Sequence, residues 1–361
     1  MKTPSNFLKY ITEMKRERSF FQGRVEELEK YIEPGKYRVS NIGKKMAFKN
    51  GKIEKDFILN NIRQMIRNED EKTRIFLSTR IKILVGSLFT VKIKSFNKKI
   101  YNGSLIMKSH TGDVIIFDFK NRIVIRFFCC QADYLKLKNA HSTFFEYFKA
   151  PWISFCDDKL FGVEKYIMFR PSGSWSLAEK VKAIEIYLEN YYKYLEKNNE
   201  ASVRCETIFG KIKALEIDFG EVDSLSILNK LKYSSWPNTK GHGDLNFNNI
   251  LLSEGEYYFI DWELYGDYML LYDFFNLIFI EAIDHGEYDL VKCYLEGLYD
   301  EQLSKIFKLM SLEFCREQKK SYLALYIVER ILKYEKDRVK AVTSLELIIK
   351  PYIDLLNVIE D

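Results

Sequence analysis

Apolar residues recur at three- and four-residue intervals over residues 6–32, at Phe7, Ile11 and Met14 and then Phe21, Val25, Leu28 and Ile32; Pro34-Gly35 stops the pattern. That spacing predicts a helix at the front of the chain. Residues 37–48 are mixed, with room for a strand before the Asn50-Gly51 turn, and residues 57–66 have the pattern of a second amphipathic helix. Residues 75–100 are rich in β-branched side chains and alternate over 90–94. From Leu105 the signal sharpens. Residues 105–107 lead to a loop over 109–113, and 114–119 and 122–128 read as two strands joined by a tight turn at Lys120-Asn121. Residues 132–148 return to helical spacing, and 151–155 and 162–168 read as two more strands around Asp157-Asp158. Ser176 opens a long amphipathic helix to residue 197, with Glu179 placed to complete a capping box. Residues 209–231 are mixed. Five helical segments follow, over 268–284, 288–298, 301–319, 323–334 and 342–358.

Chemistry concentrates in residues 241–263, GHGDLNFNNILLSEGEYYFIDWE. Two short apolar runs, 249–252 and 257–260, flank the polar break Ser253-Glu254-Gly255-Glu256, which is a hairpin pattern with a glycine-containing turn. Asp244 and Asn249 lie before or at the first strand and Asp261 just past the second, so the hairpin folds three polar side chains to one end. Phosphoryl transfer needs such a set: one carboxylate to orient or accept the hydroxyl proton, and an amide oxygen and a second carboxylate to hold magnesium on the nucleotide phosphates. A lone H-x-D would mean little, and an aspartate capping a helix would look like Asp244; the joint spacing carries the argument.

HGDLNFNNIL followed by IDWE resembles the aminoglycoside phosphotransferase and choline kinase superfamily, closely from Gly241 to Asn276 and thinly elsewhere. The resemblance implies an α+β, two-lobed protein-kinase-like fold. Residues 1–104 would be a basic N-terminal extension, 105–169 a small antiparallel-sheet lobe for the nucleotide, and 170–361 a large helical lobe with the catalytic loop and acceptor pocket. It implies an ATP- and Mg2+-dependent phosphotransferase acting on a hydroxyl of a small molecule or glycan. Asp244 would be catalytic, Asn249 and Asp261 the metal ligands, and His242 a structural support of the loop. Trp262, Glu263, Asp267, Asp273, Glu281 and Asp284 are candidates for the acceptor pocket, Glu263 and Asp273 having the best positions. Residues 163–167 resemble the hinge that meets adenine, which makes Tyr166 and Ile167 nucleotide candidates.

The sequence also departs from the pattern. Arg126 stands where such kinases carry a lysine for the phosphates. A guanidinium can grip phosphate oxygens bidentately, and Arg126 equally suits an exposed strand face. The loop over 109–113 has one glycine, Gly112. The glutamate expected mid-helix is replaced by Lys138-Asn139, with Glu146 late, so the usual lysine–glutamate pair is absent or rebuilt. These departures keep an alternative open: a catalytically weak nucleotide-binding scaffold. A protein kinase is a third reading, weakened by Gly243 and by the absence of Asp-Phe-Gly and Ala-Pro-Glu.

Composition bounds the rest. With 47% hydrophobic and 30% charged residues the chain fits a soluble globular protein, and 27 Phe with 24 Tyr imply cores built from large side chains. The most apolar run, 268–283, is broken by Asp273, Asn276 and Glu281 and reads as a buried helix, not a membrane span. MKTPSNFLKY lacks the apolar core of a signal peptide; with the need for ATP, a cytoplasmic location is expected. Six cysteines without zinc spacing are expected to be reduced and mostly buried, and four histidines are too few for a His-rich metal site. Residues 1–100 hold 24 Lys+Arg against 11 Asp+Glu, and the remainder 32 against 40. The basic front suits a peripheral membrane or partner contact, although a solvated lysine-rich surface is its commoner use; nucleic acid is not the expected partner. The role of these first residues is open between a cap on the small lobe, a partner-binding module and part of a sheet. The acidic remainder suits a cationic acceptor.

Overall fold

The computed structural model describes residues 4–42, 44–49, 51–54, 57–58, 89–94, 100–109, 112–198, 206–207 and 235–338. The chain divides into two compact units. One comprises residues 1–139, 149–174 and 251–260; the other comprises 140–148, 175–250 and 261–361.

The first unit is a sheet with helices laid on it. Helices α1 (Pro4–Gly23) and α2 (Val25–Leu28) precede β1 (Gly35–Ile42), β2 (Lys44–Phe48), β3 (Thr90–Ile93), β4 (Leu105–Lys108), β5 (Val114–Asp118) and β6 (Ile123–Phe127). Helix α3 (Gln131–Phe144) then leads to β7 (Ile153–Cys156) and β8 (Phe161–Lys165). The eight strands run in the order β3-β1-β2-β4-β5-β6-β8-β7, and every neighbouring pair is antiparallel. Strand alternation divides the side chains between two cores. Ile106, Ile116 and Ile125 face Met14 and Phe21 of α1, with Tyr31, Val39 and Ala47. Leu105 and Met107 face the other way, with Phe48 and Ile58. Among the described residues, three strands of this sheet thus come from the first hundred: of the roles open for that segment, membership of a sheet is the one seen.

The second unit is mainly helical. After α4 (Leu177–Lys197) come β9 (Glu206–Thr207), β10 (Ser235–Trp236), β11 (Asn238–Gly241), the hairpin strands β12 (Ile250–Ser253) and β13 (Glu256–Phe259), and β14 (Gly266–Met269). Helices α5 (Tyr272–His285), α6 (Asp289–Glu296), α7 (Asp300–Leu309) and α8 (Lys319–Arg338) follow among the described residues. Strand β9 pairs with β10 and β11 with β14, both antiparallel. The expected capping box is present: the Ser176 side chain accepts from the Glu179 amide, and the Glu179 carboxylate accepts from the Ser176 amide. The hairpin itself belongs to the first unit. There Arg170 N–H donates to the Leu252 carbonyl at 2.9 Å and Phe259 N–H to the Lys149 carbonyl at 2.8 Å.

This is the α+β organisation that the sequence implied: an antiparallel-sheet unit and a mainly helical one. Several local expectations change. The helix expected over 268–284 starts at Tyr272, because residues 266–269 pair with β11 and Leu271 turns the chain at φ 66°. The helix expected over 301–319 ends at Leu309, where Ser311 at φ 57° breaks it before α8 begins. Among the described residues the thiols are not mostly buried: Cys129 and Cys130 are exposed, and Cys156, Cys293 and Cys315 are partly so. Most of the helix expected over 57–66, and all of 209–231 and 342–358, lie outside the described residues. Among the described residues no helix is long and apolar enough to cross a membrane.

Candidate active site

The loop after β11 is held from behind. Asp273, in the first turn of α5 and only 3% exposed, accepts from His242 N–H at 2.7 Å through Oδ2 and from Gly243 N–H at 2.8 Å through Oδ1. A buried carboxylate receiving two amide bonds is a strong clamp, since charge-assisted hydrogen bonds are roughly twice as strong as neutral ones. Asn276, one turn further along α5 and fully buried, donates from Nδ2 to the Leu245 carbonyl at 2.8 Å. Its Oδ1 accepts from the Tyr326 hydroxyl of α8 at 2.5 Å. Arg330 of α8 donates to the Tyr272 hydroxyl at 2.9 Å. The loop therefore rests on α5, and α5 on α8, through buried polar contacts.

Gly243 is required by its surroundings. Its φ is +84°, and a Cβ there would lie 2.0 Å from the Tyr268 hydroxyl oxygen and 2.6 Å from the Leu264 carbonyl. Tyr268 donates its hydroxyl to that same carbonyl. Burial, then the nearby Asp273, Tyr272 and Asp244, push the Tyr268 phenol far above its ordinary range, so it stays protonated as a donor.

On this frame Asp244 is half-buried. Its carbonyl accepts from Asn249 Nδ2 at 2.8 Å and from Asn246 Nδ2 at 3.1 Å, while its N–H donates to His242 Nδ1 at 3.3 Å. Asn246 also caps the short 3-10 turn Phe247–Asn249 by accepting from Asn248 N–H. The Asn249 amide nitrogen is committed to the Asp244 carbonyl, and its oxygen is the atom with the chemistry to ligate a hard cation. His242 is 1% exposed, with its ring 4.6 Å from that of Trp262. Trp262 in turn stacks on Phe144 at 4.9 Å. His242 is thus a packing and loop-bonding residue in this structure.

Asp261 follows from the hairpin. Glu254 and Gly255 both have positive φ, 52° and 81°, which is the two-residue turn matched to strand twist. With two residues in the turn, the chain enters the hairpin just after Asn249 and leaves it just before Asp261. Asp261 is exposed and left-handed, φ 66°, at the start of the 3-10 turn Trp262–Leu264; aspartate tolerates that region better than most residues. A carboxylate and an amide oxygen are hard donors, the kind magnesium takes.

The other acceptor candidates divide. Glu263 is half-buried beside Asp261 in sequence. Asp273 is engaged by the loop amides. Glu281 is buried and paired with Lys180 at 2.5 Å, and Asp267 pairs with Lys240 at 2.8 Å. In the sheet unit Arg126 lies on β6 opposite Ile115 of β5 and Gly162 of β8, its guanidinium 6.0 Å from the Phe128 ring centre. Two charged groups in and just after α3 are engaged elsewhere: Lys138 with Asp157 at 2.7 Å and Glu146 with Lys197 at 2.6 Å. Tyr166 donates its backbone N–H to the Arg122 carbonyl and packs its ring 5.3 Å from that of Phe119; Ile167 is buried. Asn276, Tyr326 and Arg330 were not singled out from sequence. The signal available was a polar residue inside an apolar helical run.

Residues 209–298 match the model of the phosphotransferase enzyme family, a span that contains the loop, the hairpin and α5. The chain resembles this family. Among solved structures, it is similar to a choline/ethanolamine kinase family protein from Mesorhizobium loti, at 14% identity and TM-score 0.42, over 69% of this chain and 85% of that one. It is similar also to choline kinase LicA from Streptococcus pneumoniae, at 15% identity and TM-score 0.38, over 68% and 88%. A third is a thermostable mutant of aminoglycoside phosphotransferase APH(4)-Ia in complex with ADP and hygromycin B, at 10% identity and TM-score 0.46, over 71% and 94%. No curated protein matches the sequence.

Proposed function

We propose that the chain is an ATP-dependent phosphotransferase that phosphorylates a hydroxyl of a small molecule or a glycan. The observation that carries this reading is the pinned loop: Asp273 holds the His242 and Gly243 amides while the Asn249 amide nitrogen is tied to the Asp244 carbonyl. Such a frame fixes a carboxylate and an amide oxygen before substrate arrives, and catalysis of this kind is mostly positioning and charge neutralisation. In this reading Asp244 orients or deprotonates the acceptor hydroxyl. Asn249 and Asp261 hold magnesium, which neutralises phosphate charge when bound. Arg126 supports the phosphates, and the backbone at Tyr166 and Ile167 meets the base. Glu263 serves the acceptor side, and Asp273 acts through the loop it holds. Dependence on ATP puts the protein in the cytoplasm, with the sheet unit for the nucleotide and the helical unit for the acceptor.

A second reading, a nucleotide-binding scaffold with little turnover, draws support from the α3 region, where Glu146 and Lys138 are already engaged in other ion pairs. An ATP-consumption screen with magnesium across amino alcohols, aminoglycosides and sugars separates the two. The enzyme reading expects at least one acceptor to raise consumption well above the rate in water. Nucleotide binding with no consumption for any class would favour the scaffold.

A further inference from the structure

Cys129 and Cys130 are adjacent, and in a continuing strand their side chains would point to opposite faces. They do not continue the strand. The chain bends at both residues between β6 and α3, and the bend brings both sulfurs to one side. The two Sγ atoms and a carboxylate oxygen of Asp133, in the first turn of α3, all lie within 4.8 Å of one another. The Cys130 thiol donates to Asp133 Oδ2 at 3.0 Å. Asp113 fixes the other end: nearly fully buried, it accepts from Cys129 N–H through Oδ1 at 2.8 Å, and its own N–H donates to Ser109 Oγ at 2.9 Å. The geometry points to a binding site for one thiophilic divalent ion, of the zinc or cadmium class, ligated by Cys129, Cys130 and Asp133.

Two sulfurs and one carboxylate select a borderline or soft cation over magnesium. Three protein ligands on an exposed bend leave a coordination position for water, which marks an exchangeable ion and not a buried structural one. Binding replaces two S–H bonds with two metal–sulfur bonds and releases two protons to solvent. Asp113 is the outer partner that orients the Cys129 backbone. A bound ion would tie the Cys129-Cys130 bend to the first turn of α3. This site is independent of the proposed phosphotransferase reading, because it shares no residue with Asp244, Asn249 or Asp261.

The test is cadmium titration of the reduced full chain, read by the ultraviolet thiolate-to-cadmium charge-transfer band, with alkylation mapped by mass spectrometry. Wild type is expected to take up one ion with the band, and the ion to protect Cys129 and Cys130 from alkylation but not Cys293 or Cys315. Excess magnesium should leave the band unchanged. C129S and C130S should each lose the band or weaken binding by roughly tenfold or more, and D133N by roughly tenfold, with far-ultraviolet circular dichroism unchanged. An undiminished band in the C129S/C130S variant, no band in wild type, or protection of other cysteines instead would overturn the assignment. The alkylation pattern needs only wild type, so the proposal stays testable even if a variant misfolds.

Discussion

At Gly243 a single methyl group decides whether the loop closes. A Cβ would meet the Tyr268 hydroxyl at 2.0 Å, and φ is +84°. Gly243→Ala should therefore destabilise the protein by about 1–3 kcal/mol, read as a fall in the urea midpoint. Tyr268→Phe removes the nearest clashing atom but leaves the ring Cζ at 2.3 Å and the Leu264 carbonyl at 2.6 Å, so the double variant should recover only a small part of the cost relative to the sum of the two single variants. Strict additivity would mean that the clash is relieved elsewhere. Asp273 makes a second prediction at this scale. Asp273→Ala leaves two buried amides without acceptors, at about 1–3 kcal/mol for each; Asp273→Asn, which keeps one acceptor oxygen, should cost less. Equal stabilities for wild type and Asp273→Ala would remove the clamp from the account. The loop residues themselves were legible, because Asp244, Asn249 and Asp261 are bound by local spacing. The clamp was not. Asp273 reads from sequence as an acceptor-pocket carboxylate, and only the fold, which brings residues 30 and 31 positions apart together, turns it toward the loop amides.

Elements defined by local chemistry were the readable ones. The hairpin turn follows from Glu254-Gly255, and the start of α4 follows from Ser176 and Glu179. Ser176→Ala should lower stability by about 0.5–2 kcal/mol, measured by thermal or denaturant unfolding; no change would mean that tertiary packing alone sets the start of α4. The β11–β14 ladder was missed for a physical reason. Asn238–Gly241 has no apolar alternation, and Tyr268-Met269 continue smoothly into the apolar run of α5. Their pairing is a contact between distant segments, and neither carries a strand signal of its own. The vicinal thiols are the reverse case: the cysteines were visible, but the bend that gathers them was not.

Over the whole molecule the charge asymmetry has two sides. Part of the basic front is internally paired, Lys45 with Glu17 at 3.1 Å and Lys49 with Glu33, which fits a structural use of those lysines within the sheet unit. The acidic remainder leads to a prediction about the acceptor. If a cationic substrate is preferred, rising salt should raise its apparent KM, because exposed charges are screened beyond about 10 Å at 0.1 M; a preferred uncharged or anionic acceptor would end that idea. Nucleotide should stabilise the protein against heat with magnesium present and much less with chelator, since Asn249 and Asp261 supply hard oxygen donors. Equal shifts in both conditions would count against the metal assignment.

In the proposed phosphoryl transfer, Asp244 and Asp261 do different jobs. The direct measurement is single-turnover transfer from γ-labelled ATP, alongside ATP affinity, for wild type, Asp244→Asn and Asp261→Asn. Asp244→Asn keeps the shape of the loop and should bind ATP near wild type while transferring about 10²–10⁴ times more slowly. Asp261→Asn should lose both affinity and turnover. Transfer by Asp244→Asn at the wild-type rate would contradict the account.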